Sequence, residues 1–230
     1  MSLDNRLVAL CYRIIFVILC AAGIYVSLFE NGDFNASALI FYTMQSNLLC
    51  LVVMIMVIGD TVYKIRDSGI RGYNSAFPRL KGATTMVIAV TFLVFHFLLR
   101  PILFEAGMED YAASFANIAV HYITPILFIL DWLMFDKKGV YSRYDPLLWE
   151  SFPLAYFIFA VIRAQVGGVI PQVGSRYPYF FIDIDAYGGM VALYVLGMAV
   201  FFIALGYVIV LIDRIYYDNG FKLKKWEEEV

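Results

Sequence analysis

Six stretches of the chain are apolar for long enough to cross the hydrocarbon core of a bilayer, which takes roughly 20 residues at about 1.5 Å rise each. They predict spanning helices at Leu7 to Leu28, Ala38 to Tyr63, Ala83 to Phe104, Ser114 to Phe135, Glu150 to Ile170 and Tyr187 to Ile212. Polar and turn-forming residues punctuate the chain between them: Asn31-Gly32-Asp33, Asp67-Ser68-Gly69, Asp136-Lys137-Lys138-Gly139 and the segment from Pro171 to Pro178. None of these connections could form a separate domain, so residues 1–230 read as one all-α, polytopic, six-helix membrane domain. The first run is longer than the apolar core of a cleaved signal, about 7 to 15 residues, and Asp4 with Arg6 is a poor basic leader. It is therefore read as helix one.

Composition strengthens this reading. With 62% apolar and 16% charged residues and a mean hydropathy of +0.77, the chain has too little polar surface to coat a water-soluble globule. The three cysteines, Cys11, Cys20 and Cys50, all fall inside predicted spans without metal-ligand spacing and read as small packing residues. No motif calls for a cofactor.

Charge sets the orientation, because Lys and Arg near the spans are retained on the cytoplasmic side. The second connection holds Lys64, Arg66, Arg71, Arg79 and Lys81, the fourth holds Lys137, Lys138 and Arg143, and the tail holds Arg214, Lys222, Lys224 and Lys225. The first, third and fifth contain Arg176 as their sole Lys or Arg and are otherwise acidic, with Glu30, Asp33, Glu105, Glu109, Asp110, Asp183 and Asp185. Both ends of the chain are thus expected in the cytoplasm, and the net charge of −2 conceals a division between two faces. Topology and anionic lipid account for the basic loops, and nothing in the balance points to nucleic acid. Asp131 and Glu150 lie near inner helix ends, where Lys137, Lys138 or Arg143 are the expected partners.

Polar residues within spans carry the functional information, since ionisable groups in lipid are costly unless they face a bundle interior or a watery cavity. In helix two, Thr43, Ser46, Asn47 and Cys50 share one face, while Gln45 points elsewhere. Helix three places His96 and Arg100 one turn apart before Pro101. Helix four aligns Asn117, His121 and Thr124 before Pro125, and helix five carries Arg163 and Gln165. Counting from the outer ends, Thr43 lies roughly 6 to 8 Å deep and His96, His121 and Arg163 roughly 10 to 12 Å deep. A shared layer on single faces predicts a pocket toward the outer leaflet.

Such a set could perform nucleophilic chemistry. A hydroxyl needs a neighbouring base, and a neutral imidazole in a partly dry pocket can serve. Thr43 with His121 is one couple, and Ser46, one turn further in, is the competing nucleophile. Asn47 or Asn117 could donate to an oxyanion, and Arg100 or Arg163 could hold a substrate carboxylate. His96 could instead be a structural partner of Arg100, an acid or a carbonyl. A zinc site from His96, His121 and Asp183 or Asp185 is a further alternative that no His or Cys spacing signals.

The segments Phe41-Tyr42-Thr43-Met44-Gln45-Ser46-Asn47, His96-Phe97-Leu98-Leu99-Arg100-Pro101 and Asn117-Ile118-Ala119-Val120-His121 with Pro125, together with Asp131-Trp132 and Pro153-Leu154-Ala155-Tyr156, resemble a family of small bacterial six-helix membrane proteins of unassigned function. The resemblance spans nearly the whole chain and implies a multi-pass protein of a bacterial inner membrane. That family is distantly similar to the eukaryotic androgen-induced gene 1 proteins, membrane hydrolases that cleave fatty acid esters of hydroxy fatty acids with a threonine and a histidine. Their threonine and histidine match Thr43 and His121. The polar run Met-Gln-Ser-Asn after Thr43 and the pair His96 and Arg100 depart from the eukaryotic pattern, and a shared layout need not carry shared chemistry.

Two function classes follow. One is an intramembrane threonine hydrolase of lipid esters; the other is a noncatalytic protein that binds, transports or senses lipid. The lack of a convincing internal repeat weighs against transport.

Overall fold

The computed structural model describes residues 3–30, 32–73 and 76–228. Asn31 lies outside the described residues, as do the side chains of Glu30, Lys222, Lys224 and Lys225. Among the described residues six helices are long and apolar enough to cross a membrane: α1 (Arg6–Leu28), α2 (Tyr42–Ser68), α3 (Pro78–Glu105), α4 (Phe115–Phe135), α5 (Asp145–Val166) and α6, whose apolar part is Met190–Tyr217. Among the described residues the strands are one two-residue pair, Phe29–Glu30 with Asp33–Phe34, closing the turn after α1. The chain is an all-α polytopic membrane protein.

Local chemistry sets the boundaries. Asn5 caps α1 by accepting from the N–H groups of Leu7 and Val8 at 3.0 and 3.1 Å. Pro78 and Pro146 occupy first-turn positions, where a missing N–H costs nothing, so α3 and α5 begin earlier than Ala83 and Glu150. Conversely, Ala36–Ile40 forms a 3₁₀ turn, so α2 starts at Tyr42 rather than Ala38. The stretch from Gly167 to Ile170, expected in span five, lies beyond the end of α5.

The two ends of the bundle are distinct. At one, the Leu3 N–H donates to the Met134 carbonyl at 2.5 Å and the Gly72 N–H to Asp4 at 2.6 Å, while Asp213 accepts from Val140 at 2.9 Å. These contacts gather the N-terminal segment, the second and fourth connections and the inner part of α6 on the side assigned to the cytoplasm. At the other end, Gln172 donates to Asn35 and Ser37 at 3.1 and 2.6 Å, joining the first and fifth connections.

α3 is the central helix, with every residue from Lys81 to Thr91 buried. It packs against α2, α4, α5 and α6, while α1 packs on α2 and α4. Leu154, Ile158 and Ile162 of α5 and Leu193, Leu196 and Val200 of α6 are exposed, which is the arrangement expected when lipid is the solvent.

A buried ionic cluster closes the inner end. Arg13 donates to Asp131 at 2.8 Å and to Thr61 at 2.8 Å, and approaches Asp136 at 3.4 Å. Lys81 pairs with Asp131 and, at 2.7 Å, with Asp136. Asp131 therefore takes its partners from α1 and α3, not from Lys137, Lys138 or Arg143 as expected. Lys138 instead lies over the Trp132 ring at 4.1 Å, and burial there lowers its ammonium to about 8.

Candidate active site

Among the described residues two segments are of π type, and each carries a histidine. The helical ladder widens over Phe95–Leu99 in α3, where the Arg100 N–H reaches the Phe95 carbonyl, and over Ala119–Ile123 in α4, where the Thr124 N–H reaches Ala119. Each segment precedes a proline, Pro101 or Pro125, whose ring has no N–H and crowds the carbonyl four residues earlier. An extra residue in the turn relieves that crowding while the helix continues. The wider turns face each other: Phe95 stacks on His121 with ring centroids 3.8 Å apart.

His121 is held from both ring nitrogens. Nδ1 lies 3.0 Å from the Asn117 carbonyl, and Nε2 lies 3.1 Å from the Thr43 hydroxyl. A carbonyl only accepts, so in the neutral imidazole Nδ1 carries the proton and Nε2 presents its lone pair to Thr43. The Asn117 carbonyl thus orients the ring as a carboxylate does in a catalytic triad.

Thr43 is the second residue of α2, whereas His121 lies six residues beyond the first residue of α4. Their contact requires α2 to begin on the order of 7 Å deeper than α4. A helix start sunk into a bundle leaves N–H groups that protein atoms must satisfy, and Phe41 supplies no capping side chain. Tyr179 of the fifth connection packs against this helix start, its ring centroid 5.9 Å from that of Phe41. Burial raises its phenol, against the opposing pull of the Thr43 hydroxyl and the N–H groups of Thr43 and Tyr42.

A cavity of about 270 Å³ adjoins Thr43 between α2, α3, α5 and α6. Thr91, Tyr42, Tyr156 and Tyr179 give it a few hydroxyls, Glu150 supplies a carboxyl group, and the remaining wall is apolar. At their inner ends α5 and α6 touch, where a Cβ on Gly206 would come within 2.8 Å of Pro146, and the cavity lies farther out along α6. Leu154 belongs to its wall and is also 52% exposed, so the space is not sealed from the lipid side.

The other candidate residues divide into two groups. Ser46 donates to the Thr43 carbonyl at 2.9 Å and shares a 2.8 Å bond with Thr91, so Thr43 is the hydroxyl that reaches His121. Asn47 donates to the Thr43 and Val120 carbonyls at 2.7 and 3.0 Å, tying the start of α2 to the π segment of α4. Asn117 contributes through its backbone, while its side chain donates to Tyr111 at 3.2 Å. His96 stands apart, bonded to Tyr122 at 3.0 Å and stacked on Phe92, rather than to Arg100 or an acid.

Neither Arg100 nor Arg163 lines the cavity. Arg100 lies over the Phe104 ring, and Arg163 donates to the carbonyls of Gly168 and Arg176 at 2.8 and 2.9 Å. Helical spacing puts a residue on a face of its own helix but does not say which neighbour that face meets. Among the described residues no group of three His, Cys, Asp or Glu is placed to hold a metal ion, since Asp183 bonds Ser175 and Asp185 pairs with Arg176. Tyr179 and Glu150 went unread as site residues. The aromatic run Tyr179-Phe180-Phe181 in an otherwise polar connection was the available signal for the first.

Packing from α1 supports the histidine segment. A Cβ on Gly23 would come within 2.7 Å of the Ala119 Cβ. Gly23→Val is therefore expected to destabilise the protein by about 1–3 kcal/mol and to disturb the His121 contact. Thermal unfolding in detergent reads the first effect; a melting temperature equal to the parent's would show that the helices can part without loss.

Comparison with protein-family models, with curated proteins and with solved structures returns no match.

Proposed function

We propose that the protein is an intramembrane hydrolase of ester-linked fatty acids, with Thr43 as nucleophile and His121 as its base. The observation that carries this reading is the 3.1 Å contact between Thr43 Oγ1 and a His121 ring whose other nitrogen is fixed by a carbonyl, beside a largely apolar cavity. The resemblance of the Thr43 and His121 segments to the androgen-induced gene 1 hydrolases points the same way.

In the first step Oγ1 attacks the ester carbonyl carbon as its proton passes to His121 Nε2. The carbonyl oxygen becomes an oxyanion, and the first-turn N–H groups of Tyr42 and Thr43, which have no acceptor within α2, are the donors assigned to it. Collapse breaks the bond to the alcohol oxygen, which leaves with the proton from His121, and Thr43 remains acylated. Water then attacks the acyl carbon, giving a proton to His121. The acyl bond to Oγ1 breaks, Thr43 recovers its proton and the fatty acid departs.

A fluorophosphonate probe tests the couple on the purified protein. Label is expected on Thr43, located by peptide mass spectrometry, and is expected to persist in Ser46→Ala. Undiminished labelling of both Thr43→Ala and His121→Ala would sink the assignment. Saturable binding of ester lipids without turnover of any of them would favour a noncatalytic lipid-binding protein.

A further inference from the structure

The cavity beside Thr43 contains one ionisable carboxyl group and no cation. Among the described residues its wall includes no Lys, Arg or His, and Glu150 has no ion-pair partner. The Glu150 Oε2 atom is buried without a hydrogen-bond partner. A buried polar atom left unpaired in a native fold calls for a specific explanation, and a ligand donor is one. Glu150 lies at the junction between Asp145–Trp149 and Ser151–Val166, near the inner end of α5. Thr43, the second residue of α2, lies on another wall of the same space.

We infer that the ester cleaved here has an uncharged, hydroxyl-bearing head group, as a monoacylglycerol does, and that Glu150 receives a hydroxyl of that head group. The inference rests on the hydrolase reading of Thr43 and His121. An anionic head group entering this space would leave water without meeting a counter-ion, which is strongly unfavourable in an apolar site, and an ionised Glu150 would repel it. A hydroxyl suits both forms of the carboxyl group: the ionised form accepts from it, and the neutral form also donates.

Size agrees with this division. A volume of about 270 Å³ is near the lower end of the roughly 300–1,000 Å³ of small-molecule sites. It holds a glycerol head group and the start of an acyl chain. The rest of the chain would pass toward lipid on the side of Leu154. A fatty acid ester of a hydroxy fatty acid, by contrast, brings a free carboxylate that neither Arg100 nor Arg163 is positioned to meet.

The test compares kcat/KM of the full-length protein in lipid nanodiscs for monooleoylglycerol and for an oleoyl ester of hydroxystearic acid. A preference of at least about tenfold for monooleoylglycerol is expected, equivalent to about 1.4 kcal/mol in transition-state binding. Glu150→Gln keeps the shape and can still meet a hydroxyl but has no charge, so it is expected to narrow the ratio chiefly by admitting the carboxylate ester. Glu150→Leu is expected to raise KM for monooleoylglycerol severalfold. Preference for the carboxylate ester, or a ratio unchanged in both variants, overturns the inference while leaving the hydrolase reading intact. Hydrolysis of neither ester, together with no fluorophosphonate label on wild-type Thr43, overturns both.

Discussion

Thr43→Ala is expected to abolish ester hydrolysis, and His121→Ala to lower kcat by roughly 10²- to 10⁴-fold, the range over which a positioned general base acts. The two losses should not add. Once the hydroxyl is gone the imidazole has no proton to accept, so the double variant should resemble Thr43→Ala alone. Thr43→Ser keeps the oxygen and should retain measurable turnover. Asn47→Ala, by contrast, removes the two bonds that tie Thr43 and Val120 together and is expected to loosen the geometry rather than delete a reacting group. Its signature would be a partial loss accompanied by a lower melting temperature. Steady-state kinetics on the purified variants, scaled to the folded fraction, separate these outcomes, and additive losses in the double variant would contradict a coupled pair.

Asp131→Leu is expected to destabilise the fold by about 3–5 kcal/mol, the range for removing one partner from a buried ion pair. Arg13 and Lys81 are both fully buried around it, and among the described residues the variant leaves them Asp136 as their one ion-pair partner. Two cations and two acids balance in the wild type. Lys81→Met combined with Asp131→Leu removes one charge of each sign and is expected to recover much of the loss, because a buried pair is often no better than a well-packed apolar one. Denaturant unfolding in mixed micelles provides the comparison, and a double variant no more stable than Asp131→Leu would mean that the loss stems from something other than an uncompensated charge.

Much of this architecture was legible in the pattern of apolar runs, because a bilayer imposes length and composition on each span with little regard for partners. That a helix-two hydroxyl could meet His121 was legible for a related reason, whereas the choice of Thr43 over Ser46 came from the structure. Once the spans have a direction, residue offsets become depths, and both residues fall in the outer half. What the runs could not convey was rotation about each helix axis. Arg100 and Arg163 share that layer yet point to other surroundings. Helix starts were also misjudged where apolar residues continue past the helix: Ala38 to Ile40 are hydrophobic in part but wound as 3₁₀. Pro101 and Pro125 marked the π segments in the sequence, although a proline alone does not distinguish a kink from an added residue. Arg13 was overlooked inside the first span. Its presence demanded a partner, and only the tertiary structure names Asp131 and Thr61.

That pairing bears on how the protein enters its membrane. Arg13 precedes Asp131 by 118 positions, so it leaves the ribosome with three further helices still to be made before its carboxylate exists. Until then the guanidinium lacks its carboxylate partners, and a long side chain near a helix end can keep its charge solvated by reaching toward headgroups and water. Asp131 lies in α4 and Asp136 just beyond it, so the ionic cluster that joins α1, α3 and α4 is complete only once that helix has been made.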